Sequence, residues 1–298
     1  MLRNLAKRPW VVFLLGVLSA LALVLSGAWL KELRPATKRG GQHPAAPFRI
    51  AGNFYYVGAN DVAAFLITGP QGHVVLDAGY PSTARMIMAS IAALGFDIND
   101  VKVLLNSEPH SDHGGGLAVL QQASGAELWA SEASADVIAS GGDDADILLP
   151  VRALFWIGLL RYPPARVDHR FKDGDTVRVG PIALTAHVTG GHTRGCTSWS
   201  FPVRDGGRVL NVVSACGVGV LGVLRYHEQA SDRERSLRVL RSLTADIWVT
   251  NHARKWGRYR KYVASLTAKK PVDPFIDPEG YRAFIDAEEE ELRQGSVH

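Results

Sequence analysis

Cysteine is nearly absent from this 298-residue chain: Cys196 and Cys216 are the only two. Two cysteines cannot make a disulfide scaffold, so an apolar core must hold the fold together. A composition of 47% hydrophobic and 21% charged residues is that of a globular protein able to build one. The chain also lacks any short-period repeat or low-complexity tract, which excludes solenoids and arrays. It lacks a basic excess where one would matter. The sequence pI near 9.1 comes from the first 49 residues, which hold eight Lys/Arg and one acid, and the remaining chain has 25 bases against 28 acids. A slightly acidic body excludes nucleic acid as a partner.

Charge is missing altogether from Trp10 to Leu30, just after Arg3, Lys7 and Arg8. About 20 apolar residues span a bilayer, so residues 1–30 read as a signal peptide or a retained inner-membrane anchor, the apolar part being residues 10–30. A small-residue pattern at Ser26, Gly27 and Ala28 favours cleavage; the length of the run and Lys31 after it favour retention. Either reading places the folded domain outside the cytoplasm, in a periplasmic or comparable compartment. Residues 31–47 are basic, rich in Pro and Gly and without periodicity, and read as a linker. Residues 48–298 are left for one catalytic-size domain.

Within that domain, short strand-like runs (NFYYVG, AAFLITG, HVVLDAG) lead into STARMIMASIAALG, whose apolar spacing is helical and which stops at glycine. DVKVLLNSE then reads as a strand and GGLAVLQQAS as a helix. The second half repeats this logic: DTVRVG, IALTAHV, CTSWSFPV and RVLNVVSA are strand-like, ERSLRVLRSLTA is helical, DIWVTNH is a last strand, and 274–294 forms a closing acidic helix. Two such halves facing each other make a layered α/β sandwich. Cys196 and Cys216 flank the hairpin around Asp205-Gly206-Gly207, close enough for one bridge or for two buried thiols; both readings stand.

The chemistry concentrates in NSEPHSDHGGG, residues 106–116. Glu108, His110, Asp112 and His113 follow a strand; His192 follows IALTAHV, and His252 follows DIWVT. Strand ends of one sandwich edge can gather all six. In an extended loop, Glu108, His110 and Asp112 would point one way and His113 the other. Six nitrogen and oxygen ligands suit two zinc ions, each with an open position for water. Such a site hydrolyses without a serine or cysteine nucleophile. Glycines 114–116 let the backbone come close to the site. Asp77, ending HVVLDAG, is placed to orient a metal-bound imidazole. His43, His73, His169, His187, His227 and His298 read as ordinary core or surface residues.

These segments together resemble the metallo-β-lactamase superfamily, and within it subclass B3, over residues from about 48 to beyond 252. The resemblance implies a four-layer αββα sandwich with a dizinc site along one edge. The family pattern His-x-His-x-Asp-His stands here as Glu-x-His-x-Asp-His. By that match Glu108, His110 and His192 would hold the first zinc and Asp112, His113 and His252 the second. The implied substrate is a β-lactam, opened by a hydroxide held between the metals and oriented by Asp112. Glutamate is harder than imidazole and charged, so the first site is altered in affinity, metal preference or hydroxide basicity. In NVVSACGVGV, Ser214 and Cys216 match serines near the second metal and the substrate carboxylate. Three rivals remain. A thioesterase or lactonase of the same fold usually carries an aspartate on that strand, which has none here. A di-iron redox protein has its glutamate in the middle of the motif. A binding protein with a decayed site is kept in play by Glu108.

Overall fold

The computed structural model describes residues 41–295 apart from 221 and 223. The first strand, β1 (Phe48–Ala51), is followed by β2 (Phe54–Tyr56), β3 (Phe65–Ile67), β4 (His73–Leu76), β5 (Val101–Leu105), β6 (Glu127–Ser131) and β7 (His169–Phe171). These seven lie side by side in chain order. β1 to β4 pair antiparallel, and β4 to β7 parallel. A second sheet holds β8 (Thr176–Val179), β9 (Ile182–Val188), β10 (Thr197–Asp205), β11 (Arg208–Ala215) and β12 (Ile247–Thr250), in the order β12-β11-β10-β9-β8.

Local sequence explains the difference between the sheets. β4 (HVVL) and most of β5 (VKVLL) are buried on both faces, as strands inside a covered parallel sheet must be. β9 (IALTAHV) instead alternates buried and half-buried residues, the period-two pattern of a strand with one face on the core. Between the sheets pack Phe54, Phe65, Leu105, Trp199, Phe201 and Ile247. A second cluster, with Leu66, Val75, Leu104 and Leu128, lies on the outer face of the first sheet. It is covered by α1 (Ala84–Ala93), α2 (Leu117–Ser124) and α3 (Glu132–Ala139). On the second sheet lie α5 (Gln229–Ser242) and α7 (Pro278–Gly295), contributing Leu237, Leu240, Phe284 and Ile285 to the core. The result is the αββα sandwich. α4 (Leu149–Trp156) and α6 (Arg258–Ser265) lie on connecting segments.

Two expectations change. The closing helix starts at Pro278, not at 274, because the Asp277 carboxylate accepts the Gly280 amide at 3.0 Å and caps it. A short 3-10 turn, Asp273–Phe275, precedes it. The segment ALFWIGLLRYPP, residues 153–164, begins in α4 and exposes Trp156, Ile157 and Leu159. Finally, the placement outside the cytoplasm does not stand. Residues 1–30 and most of the linker lie outside the described residues, and among the described residues no helix is long and apolar enough to cross a membrane.

Candidate metal centre

β4, β5, β9 and β12 all end at one edge of the sandwich, and the residues that follow them converge there. The Thr197 amide donates to the Ser107 carbonyl at 2.7 Å, stitching the start of β10 to the segment after β5. That segment is not extended. The amides of His113 and Gly114 donate to the His110 carbonyl at 3.0 and 2.7 Å, and Gly115 to Ser111 at 3.2 Å, so the chain coils tightly from 110 to 116. The coil turns Asp112 away from Glu108 and His110 and toward His113. The close packing also explains the glycines: a Cβ on Gly115 would lie 2.2 Å from the Ser111 carbonyl oxygen, and one on Gly116 2.2 Å from that of Ala78.

The six side chains form two groups, Glu108–His110–His192 and Asp112–His113–His252, each with its donor atoms within 4.8 Å of one another. In the first, Glu108 Oε2 lies 2.7 Å from His110 Nδ1 and 3.2 Å from His192 Nε2. In the second, Asp112 Oδ2 lies 3.2 Å from His113 Nε2 and 3.7 Å from His252 Nε2. The groups adjoin, since His113 Nε2 is 3.5 Å from Glu108 Oε1. Glu108 and His113 are buried, whereas His110, Asp112, His192 and His252 are partly open to solvent. The site therefore has a closed floor and an accessible mouth.

Three imidazoles turn one nitrogen inward and offer the other to an oxygen. His192 Nδ1 donates to the Gly219 carbonyl at 2.6 Å; His113 Nδ1 faces Asp77 Oδ2 at 3.5 Å and His252 Nδ1 faces Asp61 Oδ2 at 3.7 Å. Asp77 is held in turn by the amide and hydroxyl of Ser107, both at 2.7 Å. In His192 the hydrogen bond on Nδ1 leaves the inward Nε2 free as a lone-pair donor.

Charge follows the same plan. Burial pushes the Glu108 carboxyl up, but His192 and His110 outweigh it and leave the group at about 2. Burial opposes ionisation of Asp112 as well, yet His113 and His252 hold it well below the usual carboxylate range. Burial lowers His113, and the charge of Asp112 carries it well above the ordinary imidazole value. Burial keeps His192 below that value. Glu108 Oε2 and His113 Nε2 are buried without a hydrogen-bond partner. Donor atoms of this kind, aimed at shared points and costly to bury unpaired, fit a cation.

Asp61, Ser107, Asn251 and the Gly219 carbonyl belong to the site although no motif marks them. Asn251 Nδ2 donates to Glu108 Oε1 at 2.8 Å, and Asp61 also takes Arg254 Nη2 at 2.7 Å. The signal for Asn251 was its place directly before His252; Asp61 offered none. Cys216 needs correction as a substrate contact: it is fully buried and bridged to Cys196, with Cα atoms 5.9 Å apart. Ser214 is also buried, opposite Trp199 in the β10–β11 ladder. Of the other histidines, His187 bonds Ser200 at 2.8 Å, His169 pairs with Glu127 and stacks on Trp129, and His73 packs on Phe96. His298 lies outside the described residues.

The family model of the metallo-beta-lactamase superfamily matches residues 57–252. Among solved structures, the Rm3 metallo-beta-lactamase is 37% identical, with 85% of this chain and 94% of that one covered and a TM-score of 0.78. The class B3 di-zinc metallo-beta-lactamase LRA-12 from an Alaskan soil metagenome is 31% identical over 85% of this chain and 94% of that one, with a TM-score of 0.77. A curated relative, the hydroxyacylglutathione hydrolase of Jannaschia sp. (strain CCS1), is 27% identical over 161 residues, 54% of this chain. The chain spans about half the length of the curated relatives it matches, 51% in that case.

Proposed function

The chain belongs to the metallo-β-lactamase superfamily, and from that membership we propose that it is a zinc-dependent β-lactam hydrolase of the subclass B3 kind. The observation that carries this reading is the pair of three-residue donor groups, closed beneath and open above. Glu108, His110 and His192 would hold one zinc ion, and Asp112, His113 and His252 the other. Bound zinc would supply Lewis acidity, bringing the pKa of a water toward neutrality and polarising the lactam carbonyl.

The chain's own residues set up that chemistry. His192 keeps its lone pair on Nε2 because Nδ1 donates to Gly219. His113 and His252 turn Nδ1 toward the carboxylates of Asp77 and Asp61, at 3.5 and 3.7 Å. Asp112, partly exposed and held ionised, is the group at the mouth able to orient an attacking water by accepting its hydrogen bond. No serine or cysteine nucleophile is required, and Cys216 is locked in its bridge.

Support for the lactam substrate comes from the two metallo-beta-lactamase neighbours, one of them class B3, which are 37% and 31% identical to this chain with 94% of each covered. The curated relatives favour a second reading, hydrolysis of a hydroxyacylglutathione thioester. Against it, β11 and the residues after it, Ser214-Ala215-Cys216-Gly217, supply no carboxylate to the edge. The test is hydrolysis of a penicillin, a cephalosporin, a carbapenem and a hydroxyacylglutathione thioester by the purified chain, with zinc titrated in and then chelated. Zinc-dependent lactam opening is expected. Thioester cleavage with no lactam turnover would move the assignment to the second reading.

A further inference from the structure

A glutamate in place of an imidazole brings a difficulty, because a carboxylate has two oxygens where a histidine offers one nitrogen. Glu108 Oε2 faces His110 and His192, but Oε1 lies 3.5 Å from His113 Nε2, a donor atom of the neighbouring group. Left free, the carboxylate could swing Oε1 toward the second group and draw Oε2 off the point it shares with His110 and His192. That would weaken the first site and fill a coordination position that the second metal must keep open.

The structure assigns the solution to Asn251: it is a positioning residue that makes Glu108 a one-oxygen ligand, with Oε1 engaged by the Asn251 amide and Oε2 aimed at the first metal. The inference rests on the two-group metal reading above. Its geometry is specific. Asn251 Nδ2 donates to Oε1 at 2.8 Å, and both residues are buried, at 3% and 1% exposure. A hydrogen bond to a buried carboxylate is of the strong, charge-assisted kind. Asn251 is itself fixed, since it directly follows β12 and its carbonyl accepts the Ala63 amide at 2.9 Å. An aspartate here would repel Glu108, and a leucine would fill the space without donating.

The test is zinc titration against a chromophoric chelator on the full chain, with melting of the metal-free protein as the check on folding. Wild type is expected to bind two equivalents and Glu108→Ala to lose one. Asn251→Leu and the isosteric Asn251→Asp should weaken that same equivalent by about ten- to a hundredfold, the usual effect of losing a partner that orients a ligand. The metal-free melting temperature should stay at the wild-type value for at least one of the two. The double variant Glu108→Ala/Asn251→Leu should bind no more weakly than Glu108→Ala alone, because no carboxylate remains to be aimed. The proposal is overturned if the Asn251 variants bind zinc as tightly as wild type or more tightly, or if Asn251→Leu costs as much without Glu108 as with it. A wild-type chain that binds no zinc, or a Glu108→Ala variant that keeps both equivalents, would instead sink the metal reading itself.

Discussion

Glu108 sits in the first donor group, within reach of His110, His192 and Asn251. Its carboxylate is buried, ionised by His192 and His110 despite burial, and bonded by Asn251. In the proposed dizinc site a charged oxygen donor would weaken the Lewis acidity of its ion, so Glu108→His is expected to raise the turnover of the proposed lactam hydrolysis at saturating zinc; equal rates would refute that effect. Asp77 is the second test. It sits at a φ of 65°, a conformation an aspartate tolerates better than most residues, and it joins Ser107 to His113. Asp77→Ala should reduce affinity for one zinc equivalent by about ten- to a hundredfold. It should also cost about 1–3 kcal/mol of stability, because the buried Ser107 amide and hydroxyl lose their acceptor. Denaturant unfolding of the metal-free protein separates the two effects. Asp77 was legible as the end of HVVLDAG. Asp61 was not, because its partners His252 and Arg254 lie about 190 residues away.

Strand ends and their clips decide the geometry of the edge. The Cys196–Cys216 bridge ties the chain just past His192 to the chain just past β11, three residues before the Gly219 carbonyl that orients His192. It closes a loop with a sequence separation of 20, which constrains the unfolded chain by about 3 kcal/mol. Replacing both cysteines with alanine should therefore lower urea stability by that order and weaken zinc binding at the His192 group. A loss of stability with zinc affinity intact would mean that the clip serves the fold alone. Nine of the twelve described strands were legible in their hydrophobic pattern, and the short β1, β6 and β7 were not. The loop conformation at 106–116 was not: two histidines, two acids and three glycines have no periodicity, and its coil is set by bonds to His110 and Ser111 and by packing against Ala78.

At the scale of the whole molecule, the sheets must stay in register for their edges to meet, and α7 contributes by covering the second sheet. Its first turn is anchored through Asp277, which takes Lys261 Nζ at 2.7 Å, Trp248 Nε1 at 3.3 Å and the Gly280 amide. Partial burial raises the Asp277 carboxyl, but the Lys261 contact outweighs it and holds the group below the usual range. A depressed carboxylate stabilises the fold at pH above its unfolded value, about 3.9, and that contribution is lost as the pH falls through the lower folded value. Asp277→Asn should accordingly melt below wild type at neutral pH, with the gap closing as the solution is acidified below pH ~4. A gap independent of pH would show that the charge on Asp277 is not what anchors the helix.

By itself the sequence determined the kinds of layer and the donor atoms. Alternating and continuous apolar runs dictate half-buried and fully buried strands, and six His, Asp and Glu side chains after three strands dictate the chemistry available. The tertiary structure decided which donors share a point, which nitrogen of each imidazole faces inward, and that Asn251 meets Glu108 across 143 positions of chain. It also joined Cys196 to Cys216, which composition had left as either a bridge or two thiols. The physical reason is range. Periodicity is a property of neighbours along the chain, whereas ligand geometry and anchoring depend on contacts between strand ends that only the packing of two sheets brings together.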